Sequence, residues 1–220
     1  KTAYIINQVC GSGIRSVASG FQSIKSGESK IVIAGGQENM SLAPHAIHLR
    51  DGKKLGDAEI IDTMIKDGLW DAFHGYHMGI TAENVAEKFQ VTRSEQDKFA
   101  FSSQEKALKA QKENRFREEI VNYKIKLKKA EISFNKDEHP RDGINLEALS
   151  RLKPVFKKDG TVTAGNASGI NDGAAAVVIM SSDEAEKRNI EKLVSIKSWA
   201  SCGVDPALMG TGPIPSTKKA

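Results

Sequence analysis

The sequence predicts an α/β protein in which a βα core is interrupted by a long insertion. Two short apolar runs, residues 3–6 and 30–34, lie on either side of an amphipathic segment, and this βαβ pattern predicts a parallel pair of strands. Residues 174–180 form another all-apolar run, which predicts a buried strand that rejoins the first sheet. Between residues 37 and 169 the pattern changes to helices, short strands and long irregular connections, which we interpret as the insertion.

The amphipathic segment predicts a first helix that follows Cys10 and ends near Ser26–Gly27. Its apolar residues recur at the three- and four-residue spacing of one helical face, at Ile14, Val17, Ala18, Phe21 and Ile24. The strand over residues 30–34 then closes at Gly35–Gly36.

Capping patterns predict two of the later helices. Thr92 with Glu95 predicts a capped helix that runs to about Asn114, and Ser181 with Glu184 has the same spacing ahead of a helix that ends near Asn189. The other elements follow from apolar spacing or turn signals: helices over 81–89 and 146–152, strands over 121–127 and 193–200, and the opening turn of a helix at 215–220.

Cys10 lies at the bend between the predicted strand 3–6 and the first helix. The backbone N–H groups and the dipole of a helix start favour an anion, so this position predicts a stabilised, nucleophilic thiolate. Gly11 and Gly13 lack a Cβ, which lets a bulky acyl group approach the sulfur. A buried structural cysteine is the alternative, but the helix start and the flanking glycines favour the nucleophile.

Composition describes an ordinary globular protein of 220 residues with a net charge of +4. No apolar run approaches the length of a bilayer span, and no secretory signal is recognised. Cys10 and Cys202 are the only cysteines and form neither a disulfide framework nor a metal-ligand spacing with the five histidines. We therefore expect a cytoplasmic protein without a metal site.

The segment from Lys106 to Lys129 carries nine Lys or Arg against three Glu. Such an excess is able to attract a polyanion, whereas a solvated helix face followed by an edge strand with protective lysines explains it equally well. Aromatic residues make up only 6% of the chain and do not interleave with the basic ones, which argues against nucleic-acid binding.

Two further segments have open interpretations. Residues 161–174 are dense in small side chains, so their backbone is suited either to line a ligand channel or to pack as a tight turn. Residues 70–79 combine aromatics with His74 and His77, either of which is suited to act as a base, although a histidine in an aromatic loop is more often a packing or hydrogen-bonding residue.

Five segments carry a resemblance to a known family. In chain order they are Asn7-Gln8-Val9-Cys10-Gly11-Ser12-Gly13, Gly35-Gly36-Gln37-Glu38-Asn39-Met40-Ser41, His77-Met78-Gly79-Ile80-Thr81-Ala82-Glu83-Asn84, Gly165-Asn166-Ala167-Ser168-Gly169 and Met209-Gly210-Thr211-Gly212-Pro213. Together they closely resemble the motifs of the thiolases, in particular the biosynthetic branch, and the resemblance covers essentially the whole chain.

The resemblance implies a partial thiolase fold. It assigns residues 1–39 and 170–191 to the N-terminal core domain, residues 40–169 to an inserted loop domain that binds coenzyme A, and residues 192–220 to the start of a C-terminal core domain. Most of that last domain and the opening strands are expected to be missing, so that the chain would be truncated at both ends.

The implied activity is acetyl-CoA C-acetyltransfer, the reversible condensation of two acetyl-CoA to acetoacetyl-CoA. Cys10 would take the acyl group as a thioester, with its own backbone N–H as a donor to the oxyanion. Acyl-CoA is the implied small-molecule partner, and no cofactor is expected because coenzyme A thioesters are the substrates.

The resemblance also assigns the coenzyme A contacts. Those along the pantetheine tunnel are Leu69, His77, Met78, Phe156, Ala164 and Ser168, and Arg141 would face the nucleotide end. This assignment favours a channel wall for residues 161–174. It makes His77 a substrate contact instead of a base.

This sequence departs from the family in lacking the Gly-His-Pro histidine, the Asn-Glu-Ala-Phe motif and the second reactive cysteine; Cys202 has a different context. The resemblance therefore implies little or no turnover by this chain alone. It also implies a homo-oligomer, because full-length members of the family are dimers or tetramers. The composition and the lack of a bilayer-length apolar run lead us to expect neither nucleic-acid nor membrane partners. A decarboxylating acyl-carrier-protein synthase and a non-catalytic coenzyme A-binding remnant are the alternatives, and the long insertion with His77-Met78-Gly79 favours a thiolase over the synthase.

Overall fold

The computed structural model describes residues 2–220; Lys1, the first residue of the predicted N-terminal core segment, lies outside them. In chain order the helices and strands are α1 (Ser12–Lys25), β1 (Ile31–Asn39), β2 (His45–Ala46), β3 (Ile61–Asp62), β4 (Trp70–Asp71), β5 (Tyr76–His77), α2 (Met78–Phe89), α3 (Arg93–Lys112), β6 (Tyr123–Lys126), β7 (Glu131–Phe134), α4 (Leu146–Ser150), β8 (Asp172–Met180), α5 (Ser182–Lys187) and α6 (Pro213–Lys219).

The chain packs as two compact units. The first comprises the residues up to Met78 together with Ile170–Ala220, and the second is Gly79–Gly169. The second unit ends at residue 169, where the sequence places the end of the insertion, and starts later than the predicted residue 40. The domain limits predicted from the resemblance stay a prediction.

The first unit is built on a ladder of two antiparallel strands covered by α1. β1 pairs with β8 from Ile31 opposite Met180 to Asn39 opposite Asp172, which confirms that the strand after the insertion rejoins the first sheet. Gly35 permits this pairing, because a Cβ there would collide with the carbonyl oxygen of Ala175. The strand runs through Gly35–Gly36, past the end predicted from the sequence.

Three predictions for the first unit are wrong. Residues 3–6 form no strand, so the predicted parallel pair is absent from the described residues. Ile5 is 96% exposed, and no neighbouring strand is present within residues 2–220 to accept the backbone hydrogen bonds that a strand needs. Residues 193–200 also form no strand, although Trp199 stacks 4.9 Å from the Arg15 guanidinium. The strand over 174–180 is mostly exposed instead of buried. An apolar run shows that a strand is suited to burial, but it does not show whether another element packs on it.

The second unit is helical with one hairpin. Thr92 and Glu95 form the predicted capping box at the start of α3, and the predicted strand over 121–127 appears as β6, paired antiparallel with β7. The short helix α4 packs on α3 and buries Leu149, which is 1% exposed. The start of α3 was therefore predicted correctly from its capping residues, whereas the strand β7, which pairs with β6, was not predicted.

Among the helices of residues 2–220, none combines the length and the apolar composition that crossing a membrane requires.

Candidate active site

Cys10 lies on a strained turn immediately before α1. Val9, the residue before it, has φ 48°, a left-handed conformation that a β-branched residue rarely adopts. The N–H groups of Gly11 and Ser12 donate to the carbonyl oxygens of Gln8 and Val9 at 3.0 and 3.1 Å and close the turn. A strained turn that leads into a helix is a recurring device for exposing a nucleophile.

Two polar side chains hold this turn. Asn7 Oδ1 accepts from Val9 N–H at 2.9 Å, and the Ser12 hydroxyl donates to the Val9 carbonyl at 2.6 Å while accepting from Gln8 N–H at 2.8 Å. Sequence reasoning named both residues in the motif around Cys10 and assigned neither a role. Their positions, three residues before and two after the cysteine, could have indicated this role, because Asn and Ser side chains often bond to nearby backbone groups in turns.

The surroundings of Cys10 fit an acyl acceptor. The residue is a free, exposed cysteine, so the alternative of a buried structural cysteine does not hold. Gly11 at the N-cap offers no side-chain acceptor to the first N–H groups of α1, and the Ser12 N–H donates to the Val9 carbonyl instead. Gly13 lies close to β1, because a Cβ on Gly36 would be 3.4 Å from the Cα of Gly13.

The first unit also contains three of the predicted coenzyme A contacts. Leu69 ends a single wide helical turn, Met64–Leu69, directly before β4, while His77 pairs with Trp70 across the β4–β5 hairpin. Met78 follows as the first residue of α2. Burial lowers the pKa of His77 below its ordinary value of 6.5, which favours the neutral imidazole.

His74 has a hydrogen-bonding partner within its own loop. Its Nδ1 lies 2.6 Å from Asp71 Oδ2, and its ring stacks on Tyr76 with the centroids 5.4 Å apart. Burial raises the pKa of Asp71, but hydrogen bonds from the Phe73 N–H and from His74 outweigh it and lower the pKa overall. The interpretation of His74 as a hydrogen-bonding residue is therefore confirmed.

The remaining predicted contacts belong to the second unit. Pro154 bridges Thr163 in an antiparallel arrangement, which sets the chain carrying Phe156 beside the chain carrying Ala164. Ala164 and Ser168 are both exposed on the same short segment. Phe156 packs over Gly79 so closely that a Cβ on Gly79 would collide with its ring.

Arg141 is held through its backbone. Its backbone N–H donates to Gln104 Oε1 on α3 at 3.1 Å, and its side chain is exposed. The structure thus places Phe156 and Ala164 on adjacent backbone segments, while α3 holds the backbone of Arg141 through Gln104.

Two buried carboxylates of the second unit were missed from the sequence. Glu83 on α2 and Asp97 on α3 are 5% and 4% exposed. A signal was present for Glu83, which falls on the same helical face as the buried residues Gly79 and Ala86. Within residues 2–220, no group of three or more His, Cys, Asp or Glu side chains is placed to hold a metal ion.

Comparison with known proteins defines the class of this chain. The thiolase N-terminal domain family matches residues 1–183, and the chain belongs to the thiolase family. The chain is 58% identical over 220 residues to an acetyl-CoA acetyltransferase of Rhizobium meliloti, covering 100% of this chain and 56% of the relative. A cytosolic acetyl-CoA acetyltransferase of Rattus norvegicus is 53% identical, with coverage of 99% and 55%. The chain thus spans about half the length of the curated relatives it matches.

Solved structures agree with this class. The acetyl-CoA acetyltransferase of Bacillus anthracis superposes with a TM-score of 0.94 at 44% identity, covering 98% of this chain and 55% of that one. Human mitochondrial 3-ketoacyl-CoA thiolase in complex with CoA superposes with a TM-score of 0.90 at 43% identity, covering 98% and 54%. The chain therefore has a partial thiolase fold, as the resemblance of its motifs predicts.

Proposed function

We propose that this chain carries the acyl-accepting cysteine of an acetyl-CoA acetyltransferase and that Cys10 is the acceptor. One observation carries the proposal: a free, exposed cysteine follows the strained residue Val9 and lies two residues before the start of α1. The 58% identity to an acetyl-CoA acetyltransferase along the whole chain supports the choice of acyl donor.

The proposed step is a thioester exchange. The Cys10 thiolate attacks the carbonyl carbon of acetyl-CoA, and the Cys10 N–H donates to the oxyanion that forms. The bond between that carbon and the coenzyme A sulfur then breaks, and coenzyme A leaves as a thiolate that takes up a proton from water. The product is S-acetyl-Cys10, and no oxidant, metal or other cofactor is required.

Coenzyme A is proposed to contact the residues that the resemblance to thiolases assigns. Those along the pantetheine arm are Leu69, His77, Met78, Phe156, Ala164 and Ser168, and Arg141 is at the nucleotide end. The human 3-ketoacyl-CoA thiolase solved in complex with CoA, 43% identical to this chain, supports a coenzyme A ligand. A neutral His77 fits a contact to an uncharged pantetheine arm better than an imidazolium would.

Completion of the condensation is proposed to need groups beyond these. Carbon–carbon bond formation requires a base that removes a proton from the second acetyl-CoA, and neither the family's Gly-His-Pro histidine nor its second reactive cysteine is among residues 1–220. We therefore expect acetylation without sustained formation of acetoacetyl-CoA from this chain alone. Assembly as a homodimer or homotetramer, and a cytoplasmic location like that named for the rat relative, complete the proposal.

Intact-protein mass spectrometry after mixing with acetyl-CoA tests the acyl acceptor. We expect one acetyl group on the unmodified chain and on Cys202→Ser, with release of an equal amount of coenzyme A, and none on Cys10→Ser. Cys202→Ser is the matched control because it removes the only other thiol.

Three results would contradict the proposal or redirect it. Equal acetylation of Cys10→Ser would exclude Cys10 as the acceptor. Coenzyme A binding without acetylation would support the non-catalytic binder instead. Acetylation from an acetylated acyl carrier protein but not from acetyl-CoA would support the related synthase.

A further inference from the structure

Glu83 on α2 holds the backbone of a distant segment that begins at Thr161. Its Oε1 accepts from the N–H groups of Thr161 and Val162, both at 2.8 Å. Its Oε2 accepts from the Thr161 N–H and hydroxyl, both at 2.9 Å. In all four contacts a Glu83 oxygen is the acceptor, and Glu83 is one of the buried residues of α2.

A second buried carboxylate continues the same arrangement. Asp97 Oδ1 accepts from Asn166 Nδ2 at 3.0 Å, and Asp97 Oδ2 accepts from Arg93 Nε at 2.8 Å. Asn166 in turn accepts from the Thr163 N–H at 2.8 Å and donates to the Thr161 carbonyl at 3.0 Å. Residues 161–166 are thus bound at both ends, by Glu83 from α2 and by Asp97 from α3.

The anchored segment belongs to no helix or strand. Its buried residues, Val162 at 7% and Thr163 at 0% exposure, have backbone groups that need partners away from water. Glu83 supplies acceptors for two consecutive N–H groups, and Asn166 supplies the next. These contacts select one conformation of a stretch that small side chains would otherwise leave mobile.

The exposed residues Ala164 and Ser168 lie within and just after this anchored stretch. We infer that Glu83, Asp97 and Asn166 are positioning residues for coenzyme A, which hold the segment 161–168 in the conformation that contacts the pantetheine arm. This inference rests on the proposed function, because it takes Ala164 and Ser168 as pantetheine contacts. None of the three positioning residues needs to touch the ligand, since preorganisation of the segment lowers the ordering that binding would otherwise require.

Glu83→Gln tests the inference with little change in shape. The substitution removes the carboxylate charge and replaces one acceptor oxygen by an NH₂ group that cannot accept from the Thr161 N–H, so the hydrogen bonds to this segment are fewer and weaker. Glu105→Gln is the matched control, because it makes the same change at an exposed position of α3. Isothermal titration measures the binding of three probes: coenzyme A, pantetheine and 3′-phospho-ADP.

We expect Glu83→Gln to weaken coenzyme A and pantetheine binding by about tenfold, the size of one lost charge-assisted hydrogen bond. Binding of 3′-phospho-ADP should stay as in the unmodified chain and in Glu105→Gln. A general loss of structure would weaken all three probes in parallel, and that result would overturn the inference. Unchanged binding of coenzyme A and pantetheine would overturn it as well.

A second pair of variants covers the case in which Glu83→Gln fails to fold. Asn166→Asp places a carboxylate against Asp97 and should weaken pantetheine binding, whereas the double variant Asp97→Asn with Asn166→Asp restores a donor and an acceptor at that contact. Partial recovery is expected, because a carboxylate at position 166 cannot replace the amide that donates to the Thr161 carbonyl. Pantetheine binding by the double variant no tighter than by Asn166→Asp would contradict positioning. Failure of the unmodified chain to bind any of the three probes would instead refute the proposed coenzyme A site itself.

Discussion

Gly20 of α1 lies against Val32 of β1 so closely that a Cβ on Gly20 would stand 3.1 Å from Val32 Cγ1 and 3.2 Å from Ile179 Cδ1. This contact sets the distance between the helix and the two-stranded ladder. Because Cys10 precedes the same helix, the packing at Gly20 also fixes where the cysteine turn stands relative to β1.

Gly20→Leu should lower the free energy of unfolding by about 1–3 kcal/mol, because the larger side chain overpacks the helix–sheet contact. Gly13→Ala is the control in the same helix: a Cβ there meets nothing within 4 Å, so a gain of about 0.5–1 kcal/mol is expected from the reduced backbone entropy of the unfolded chain. Urea unfolding followed by circular dichroism measures both. Equal effects of the two substitutions would contradict the close packing at Gly20.

Acid should weaken the contact between Asp172 and Ser41. The Ser41 hydroxyl and N–H donate to the Asp172 carboxylate at 2.5 and 3.0 Å and lower its pKa below 3.8. The stabilisation is complete above the unfolded pKa and is lost as the pH falls through the lower folded value. Ser41→Ala should therefore flatten the loss of stability from about pH 5 downward, relative to the exposed control Ser195→Ala. Parallel acid-unfolding curves would disprove it.

His77 should titrate below 6.5 in the folded chain. Burial disfavours the imidazolium, so the unfolded chain takes up this proton more readily and stability falls as the pH decreases through 6.5. The pH dependence of the His77 ring-proton resonance measures the midpoint. A midpoint at or above 6.5 would show that burial does not govern this side chain.

Thr92→Ala should destabilise the second unit by about 1 kcal/mol through loss of the capping box at the start of α3. The Thr92 N–H and hydroxyl both donate to Glu95 Oε2 at 2.8 Å and together lower the pKa of Glu95. Ser94→Ala, at an exposed position of the first turn, should change stability by less than about 0.5 kcal/mol. Thermal unfolding compares the two, and an equal shift for both would argue against the cap.

Local patterns predicted the elements that depend on few residues. The start of α3 followed from Thr92 and Glu95, and α1 followed from the spacing of its apolar residues, because both signals act within one or two turns of chain. Strand predictions failed over 3–6 and 193–200, where apolar composition suits a strand but a ladder needs a partner from elsewhere in the chain.

In the candidate site, too, local features were predicted from the sequence and contacts between distant segments were not. Cys10 was identified from its own neighbours, whereas the support of residues 161–166 by Glu83 was not, since that contact spans 78 residues of sequence. A buried carboxylate on a helix face indicates that a partner exists but does not say which backbone it meets.

By itself the sequence determined the family, through five motifs in order, and the cysteine that lies just before the first helix, because these features are carried by residue types at short spacing. Only the tertiary structure decided which backbone Glu83 and Asp97 hold, the antiparallel register of β1 with β8, and the exposure of that ladder. These depend on distant segments meeting in space, and the free energy of such contacts comes from burial and hydrogen bonding that no local pattern specifies.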